Sequence, residues 1–339
     1  MRRIVQTVEQ IEECKSLISR GSLPALRMAL LLLDNAAEVL MHRAVEHVIR
    51  EGATVGNEPF SDPDMERWRL SRITARTRKG KLRKYFYEKA RFLSEDDTTF
   101  SKALADALNA IHRYRNDAYH RDHIRQETIR PVVLVLFEIV CDLLVVLKPS
   151  VMSFNGRDNF SSFQERHGLT RGMYFSIDHD LPKLRSNLRR GLPLDVRELR
   201  GGLIEHLNNR RDEMVELLEY IKSEIPGVDT IDHALELSKS GSENPDYEDF
   251  GIPKGDFQRL VATTTMKTFD KWHMDIEALS GIDNKLVLLT RFSEIEVQIE
   301  PIERQIEELV ADIDERVNLQ VAEMRMEELL KEGRVIRPR

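Results

Sequence analysis

The segment from Arg113 to His123, RYRNDAYHRDH, is the part of the chain whose residue types and spacing best suit chemistry. It holds three arginines and two histidines, and within it Arg115 precedes His120 with four residues between them. A guanidinium is a permanent cation that stabilises charge on phosphate oxygens, whereas an imidazole can move a proton near neutral pH. Together the two groups predict phosphodiester cleavage, with His120 as general acid or base and Arg115 stabilising the transition state. This chemistry requires no metal and no cofactor.

The same segment also offers the ligands of a rival metal site. His120 and His123 are three residues apart and would share one face of a helix, and His112 with Asp117 or Asp122 would complete the set. This spacing matches no standard zinc signature, and the neighbouring arginines repel a cation. The chain also lacks a glycine-rich phosphate loop and a nucleophile elbow. The metal-independent interpretation is therefore favoured.

Charge is distributed unevenly along the chain. Residues 1–150 carry 25 Lys and Arg against 21 Asp and Glu, a net charge of +4, while residues 151–339 carry 26 against 37, a net charge of −11. The two halves therefore face different partners, and the acidic half could inhibit by covering a basic surface of the other. Nucleic-acid phosphates are the candidate target of the basic half.

A basic stretch between residues 67 and 91 provides the candidate RNA-binding surface. Aromatic residues lie among its charges, a composition that suits stacking on unpaired bases, although a solvated basic helix has the same composition. The interleaved aromatic residues are Trp68, Tyr85, Phe86 and Tyr87. With Arg113 and Arg121 of the motif segment, the predicted RNA-contacting residues are Arg76, Arg78, Lys79, Lys81, Arg83 and Lys84.

The composition predicts an all-α protein. Of 339 residues, 41% are hydrophobic and only 6% aromatic, and the apolar residues recur at helical spacing, which disfavours a β-sandwich or barrel. The two cysteines, Cys14 and Cys141, can form neither a disulfide framework nor a four-cysteine zinc site. The first 15 residues begin basic but contain three glutamates, so we expect no export and a cytoplasmic protein. The apolar stretch 131–147 contains two carboxylates, and it is predicted to be a core helix rather than a membrane span.

Several helices are predicted to position the motif segment. A long helix from about Leu23 to Arg50 carries Asp34 and Glu38, which are four residues apart and so share a face. The other predicted elements of the first half are a helix over 3–19, a loop over 52–66, a basic helix over 72–92, a helix over 94–113 and an apolar helix over 127–147. The motif segment is therefore expected between two helices.

The second half is predicted to be a separate helical domain that senses or assembles, after a linker at 150–159. Its predicted helices cover 181–190, 195–225, 230–239 and 256–279, and a polar loop covers 240–255. The last segment, about 286–330, repeats apolar residues in the 4-3 spacing of a coiled coil. The members of this seam are Leu288, Phe292, Ile295, Ile299, Ile302, Ile306, Leu309 and Ile313. We expect a short antiparallel or dimeric coil, interrupted near Pro301.

The sequence RNDAYH, Arg115 to His120, resembles the Arg-Asn-x-x-x-His motif of the HEPN superfamily. The segment 29–45, ALLLLDNAAEVLMHRAV, resembles the early helix of that family, in which an acidic residue faces the motif; Asp34 or Glu38 matches it. The resemblance covers about residues 1–150. It implies a helical bundle in which Asn116 orients the scissile phosphate or the histidine, and Glu38 holds His120 or pairs with Arg115.

Many HEPN proteins are metal-independent ribonucleases that act as homodimers with the two motifs at the subunit interface, and many serve as toxins or antiviral defence proteins. The resemblance therefore implies an endoribonuclease that attacks RNA through the 2′-OH, with RNA, a second copy and an inhibiting or activating protein as partners. One branch of the family has a tyrosine two residues after the motif histidine, which a partner nucleotidyltransferase modifies; Asp122 stands there in this chain and argues against that pairing. The alternatives are a non-catalytic module that binds RNA or nucleotide, and a purely structural helical scaffold.

Overall fold

Apolar residues at helical spacing produce helices through all the described parts of the chain. A computed structural model describes residues 2–54, 76–96, 99–120, 126–147, 161–169, 177–240 and 254–331. The regular elements within these ranges are helices, and the all-α class is confirmed. None of the helices in these ranges combines the length and the hydropathy that crossing a bilayer requires.

Six α-helices make up the described part of the first 150 residues. They are α1 (Arg2–Arg20), α2 (Leu23–Thr54), α3 (Arg76–Lys84), α4 (Phe86–Arg91), α5 (Lys102–His120) and α6 (Gln126–Val146), and a π-helical turn, Phe92–Asp96, follows α4. The predicted basic helix is divided at Tyr85, whose backbone is extended with φ −96° and ψ 133°. The rest of its predicted span and most of the predicted loop fall within 55–75, outside the described residues.

Seven α-helices make up the described remainder of the chain. They are α7 (Ser161–His167), α8 (Ile177–Arg189), α9 (Val196–Glu224), α10 (Ile231–Ser238), α11 (Lys254–Thr263), α12 (Met266–Ala278) and α13 (Lys285–Lys331). The single helix predicted over 256–279 is two helices, because Thr265 donates its backbone N–H to the hydroxyl of Thr268 and begins a new helix there. The predicted linker, 150–159, and nearly all of the predicted loop at 240–255 lie outside the described residues.

The motif segment does not lie between two helices, and this correction matters for the site. Helix α5 continues to His120, so the RNDAYH sequence forms its last turns. The buried face of the helix explains the extension, because Leu108, Ile111 and Tyr114 are all buried and recur every three residues. The segment also contains no glycine or proline that would end the helix.

The chain divides into two compact units whose borders do not follow the predicted boundary at residue 150. The first consists of Met1–Glu205 and Leu279–Ser293, and the second of His206–Ala278 and Glu294–Arg339. Helix α8 belongs to the first unit because it packs against α6. Arg189 of α8 also forms an ion pair with Asp142 of α6. The first unit therefore includes helices from both halves of the chain.

Helices α1, α2 and α6 form the core of the first unit. Helix α6 is buried around most of its circumference, in agreement with the prediction that it is a core helix. Its carboxylate Glu138 accepts a hydrogen bond from Arg189 of α8 at 2.5 Å and another from Lys285 of α13. These partners explain how a buried helix carries an acidic residue, and they attach the first turn of α13 to the first unit.

The second unit contains two long helical segments that run in parallel. The Nε2 atom of His206 in α9 lies 3.8 Å from Glu296 in α13, and the hydroxyl of Tyr220 donates to Asp314 at 2.7 Å, so both helices advance in the same direction. The seam residues from Ile295 to Ile306 are buried. This parallel pairing with a helix of the same chain differs from the antiparallel alternative of the prediction, and the dimeric alternative stays a prediction.

Pro301 does not interrupt α13, contrary to the prediction. The helix is continuous from Lys285 to Lys331 although a proline lacks the N–H that would bond the preceding turn. Ile299 and Ile302, on either side of the proline, are completely buried. Packing of the seam thus compensates for the missing hydrogen bond.

Arg210 of α9 neutralises a buried group of carboxylates on α13. Its Nε donates to Glu303 at 3.0 Å, its Nη2 to Glu300 at 2.5 Å, and its Nη1 to Glu296 at 3.4 Å. All four side chains are buried. A buried carboxylate without a cation is strongly unfavourable, so this arginine sets the register of the two helices.

Substitution of Arg210 should destabilise the second unit far more than substitution of an exposed arginine. We expect Arg210→Met to lower the free energy of unfolding by about 3–5 kcal/mol, because it removes a cation that three buried carboxylates share. Arg259→Met, at an exposed position of α11 that pairs with Asp256, should change it by less than about 0.5 kcal/mol. Urea denaturation followed by circular dichroism measures both, and equal effects would contradict the role given to Arg210.

Both cysteines should be inert in the native state. Burial raises the pKa of Cys14 and of Cys141 to about 12, so the reactive thiolate is scarce at pH 8. Ellman's reagent should therefore react with native protein at least roughly a hundredfold more slowly than with protein unfolded in guanidinium. A native rate close to the unfolded rate would show that α1 or α6 opens readily.

Candidate functional site

A buried carboxylate, Asp34 of α2, forms the centre of the candidate site. Only 1% of this residue is exposed, and its two oxygens lie 2.9 and 3.1 Å from Nδ1 of His112. Its Oδ2 also lies 3.2 Å from Nε of Arg115. His112 and Arg115 are three residues apart on α5 and so share a face. One carboxylate of the early helix therefore holds two side chains of the motif helix.

His112 is fixed by a second contact as well. Its ring stacks on Phe86 of α4, with a centroid separation of 4.1 Å and an interplanar angle of 7°. Because a carboxylate only accepts hydrogen bonds, Nδ1 of His112 carries the proton that faces Asp34. The rival metal site assigned this histidine to a cation, but its described contacts are Asp34 and Phe86; the other ligand side chains of that site lie outside the described residues.

Arg115 is held on two sides and still reaches the surface. Its Nη1 donates to the side-chain oxygen of Asn116 at 2.6 Å, and 27% of its side chain is exposed. It also lines a cavity that extends along α2. The guanidinium is thus positioned by Asp34 and Asn116 while part of it remains open to a ligand.

Glu38 does not pair with Arg115, which corrects one of its two predicted roles; the other role, holding His120, concerns a side chain outside the described residues. Glu38 accepts a hydrogen bond from Nζ of Lys89 at 2.9 Å, and Lys89 is only 1% exposed. Glu38 lies one turn after Asp34 on α2, and at that level its contact is with α4 instead of α5. Asp34, the other acidic residue that matched the family pattern, is the carboxylate that faces the motif helix.

His120 is the last residue of α5, and its side chain lies outside the described residues. At 3.6 residues per turn, the five-residue step from Arg115 to His120 places the two Cα atoms about 140° apart around the helix axis. Asn116 and His120 are four residues apart and so share a face. The hydrogen bond from Arg115 therefore ends on a residue whose position shares a helix face with position 120.

The candidate RNA-binding residues have different surroundings. On α3, Lys81, Arg83 and Lys84 are exposed, although Arg83 pairs with Glu46 at 2.8 Å. Lys84 donates to the hydroxyl of Tyr85 at 2.9 Å. Arg76, Arg78 and Lys79 are on the same helix, but their side chains, like the whole of Arg121, lie outside the described residues.

Two residues of the predicted RNA surface have roles inside the protein. Arg113 donates to the hydroxyl of Ser293 on α13, which ties the motif helix to the start of α13 within the first unit. Phe86 is buried against His112, so this aromatic residue cannot stack on a base. Tyr85 and Tyr87 lie partly exposed next to each other, with their ring centroids 5.7 Å apart.

From the sequence, His112 was assigned only to the rival metal site, and Lys89 was assigned to no site. Their contacts join distant segments: Lys89 is 51 residues from Glu38, and His112 is 78 residues from Asp34. The available signal for His112 was its spacing of three residues from Arg115, which on a helix places both side chains on one face. The spacing places the two side chains on one face only if α5 continues through the motif.

A double-mutant cycle should detect the pairing of Asp34 with Arg115. We expect Asp34→Asn and Arg115→Gln to show an interaction energy of about 0.5–3 kcal/mol in urea unfolding, because each change removes one partner of the same half-buried pair. Asp34→Asn combined with Arg113→Gln is the matched control, since Arg113 contacts Ser293 instead. The control should be additive within about 0.5 kcal/mol, and coupling of equal size in both cycles would contradict the pairing.

Comparison of the chain with protein-family models, with curated proteins and with solved structures finds no match. The case for a function therefore depends on the residues of this chain and on their geometry.

Proposed function

We propose that this protein is a metal-independent endoribonuclease of the HEPN type that acts in the cytoplasm as a toxin or an antiviral defence effector. The observation that supports this proposal best is the contact between Asp34 of α2 and Arg115 of the RNDAYH sequence on α5. An acidic residue of the early helix facing the motif is the arrangement that the resemblance to this family implies. The candidate site thus brings an acidic residue of the early helix to Arg115, which also bonds Asn116 of the motif.

The reaction follows from the chemistry of the two motif residues. The ribose 2′-OH loses its proton to a base, and its oxygen attacks the adjacent phosphorus; the bond from phosphorus to the 5′-oxygen then breaks, and that oxygen takes a proton. His120 would move these protons, and Arg115 would stabilise the charge on the non-bridging oxygens. The products are one RNA with a 2′,3′-cyclic phosphate and one with a 5′-hydroxyl. Because the nucleophile is already part of the substrate, no metal is needed.

Asp34 and Asn116 would act as positioning residues. A guanidinium that is fixed before the reaction stabilises a transition state better than a mobile one. Asp34 and Asn116 contact Nε and Nη1 of Arg115 and leave its other donors for phosphate oxygens. The hydrogen bond from Arg115 to Asn116 gives a reason for an asparagine directly after the arginine.

A composite site in a homodimer fits the same geometry. The Cα atoms of Arg115 and His120 lie about 140° apart around one helix, so the two positions do not share a face of a single copy of α5. Two copies of the helix side by side could each supply one residue to a shared site. We propose this arrangement, which the resemblance to the family also implies.

A second candidate function, a non-catalytic module that binds RNA or nucleotide, is favoured by one observation. Arg115 has two partners inside the bundle, and a guanidinium satisfied by its own protein can serve structure alone. Such a protein would bind RNA through α3 without cleaving it. Cleavage assays separate the two functions directly.

Cleavage of a mixed RNA pool in EDTA tests the proposal. We expect wild-type protein to yield cyclic phosphate ends, and Arg115→Ala and His120→Ala each to lose activity by about 10²–10⁴-fold, since each removes one catalytic group. Arg259→Ala and His179→Ala are matched controls at exposed positions and should retain full activity. Product ends are identified by mass spectrometry.

Two results would contradict the nuclease. Strict dependence on a divalent metal would exclude the proposed mechanism, because the 2′-OH route does not use one. Binding of RNA by the wild type without any cleavage would favour the non-catalytic module.

A further inference from the structure

The cavity next to Arg115 continues the face of α2 that carries Asp34. Its volume is about 330 Å³, and its lining includes Leu23, Arg27 and Leu31 of α2 together with Arg115 of α5. Positions 23, 27, 31 and 34 follow one another at steps of four or three residues and so form one stripe of the helix. The cavity therefore begins where Asp34 holds Arg115 and extends towards the start of α2.

The lining of the cavity combines two cations with an apolar wall. Among the described residues of its lining, Arg27 and Arg115 are the polar side chains, and the others are leucines, one proline and Met28. A guanidinium donates hydrogen bonds and never accepts them, so a complementary ligand carries negative charge and acceptor atoms. The apolar wall requires in addition that the ligand have a flat or hydrophobic part. A nucleotide has both parts, because it joins a phosphate to an aromatic base.

We propose that this cavity is a subsite for one nucleotide of the RNA strand, adjacent to the phosphate that is cleaved. This inference rests on the proposed nuclease function and adds a substrate preference to it. Arg115 would contact the phosphate, and the base would enter the apolar part between the leucines and Met28. A volume at the lower end of the roughly 300–1,000 Å³ typical of ligand pockets suits one nucleotide and no longer segment.

Arg27 gives the subsite a preference for guanine. Its guanidinium presents paired donors, and guanine offers two neighbouring acceptors, O6 and N7, that an arginine binds together. In a single strand this edge of the base is accessible. Adenine presents a donor next to its N7 and pairs less well with a group that only donates.

Binding of RNA analogues that cannot be cleaved tests the subsite separately from catalysis. The probes are 2′-O-methyl dinucleotides with each of the four bases, which lack the attacking hydroxyl, and binding is measured by calorimetry. We expect the guanine dinucleotides to bind most tightly, and Met28→Trp and Arg27→Gln each to weaken them by about tenfold or more, a change that equals about 1.4 kcal/mol. Met28 is 49% exposed, so the indole would fill the mouth of the cavity without entering the core.

Matched substitutions far from the cavity provide the controls. Met274→Trp changes an exposed methionine of α12, which is 71% exposed, and Arg259→Gln changes an exposed arginine of α11. Both should bind the dinucleotides as the wild type does. Circular dichroism confirms that all four variants are folded before binding is compared.

Three results would overturn the subsite: unchanged binding in both Met28→Trp and Arg27→Gln, inorganic phosphate binding as tightly as the dinucleotides, or free guanosine monophosphate binding more tightly than the strand. The last result would identify a free nucleotide as the ligand. Binding with these variant effects but without cleavage in EDTA would reject the nuclease alone. Cleavage in EDTA with no change of base preference in either cavity variant would reject the subsite alone.

Discussion

The buried carboxylate of Asp34 is the interaction on which the candidate site depends. A carboxylate with 1% exposure costs several kcal/mol unless charged or polar partners compensate it, and here His112 and Arg115 do so together. Because both partners are on α5, the register between α2 and α5 follows from this one group. The contact also fixes Nε of Arg115, so the same interaction that stabilises the bundle orients the residue proposed to stabilise the transition state.

Each of the two units is made of two separate stretches of the chain, so the chain cannot be cut at one position to separate them. The charge difference between residues 1–150 and 151–339 predicted that the acidic half could cover the basic half. The first unit, however, includes α8 and the start of α13, and Glu138 and Arg113 contact residues of these segments. Deletion of residues 151–339 would therefore remove partners of buried groups as well as negative charge. Charge-neutralising substitutions at exposed acidic positions are the cleaner test of inhibition.

Helices with an uninterrupted apolar face were predictable within a few residues. For α1, α2 and α6 the buried residues recur at helical spacing, and each end of these helices differs from its prediction by at most four residues. The predicted end of α5 was wrong because the prediction gave the polar residues of the motif more weight than Tyr114, whose burial continues the apolar face of the helix. The partner of the seam in α13 could not be predicted for a related reason: a 4-3 repeat predicts that a helix buries one face, and it does not specify what covers that face or in which direction the partner runs.

Residue types and local spacing were enough to predict the helical class and the apolar faces of the helices. The resemblance of residues 29–45 to an early HEPN helix also limited the acidic partner of the motif to Asp34 or Glu38, which share a face of α2 four residues apart. The packing of the helices places Asp34 against α5 and Glu38 against α4, and no local pattern contains that information. The same holds for His112 and Lys89, whose carboxylates are 78 and 51 residues away in the chain. Local spacing places a side chain on a face of its helix, whereas packing between distant helices decides which group that face meets.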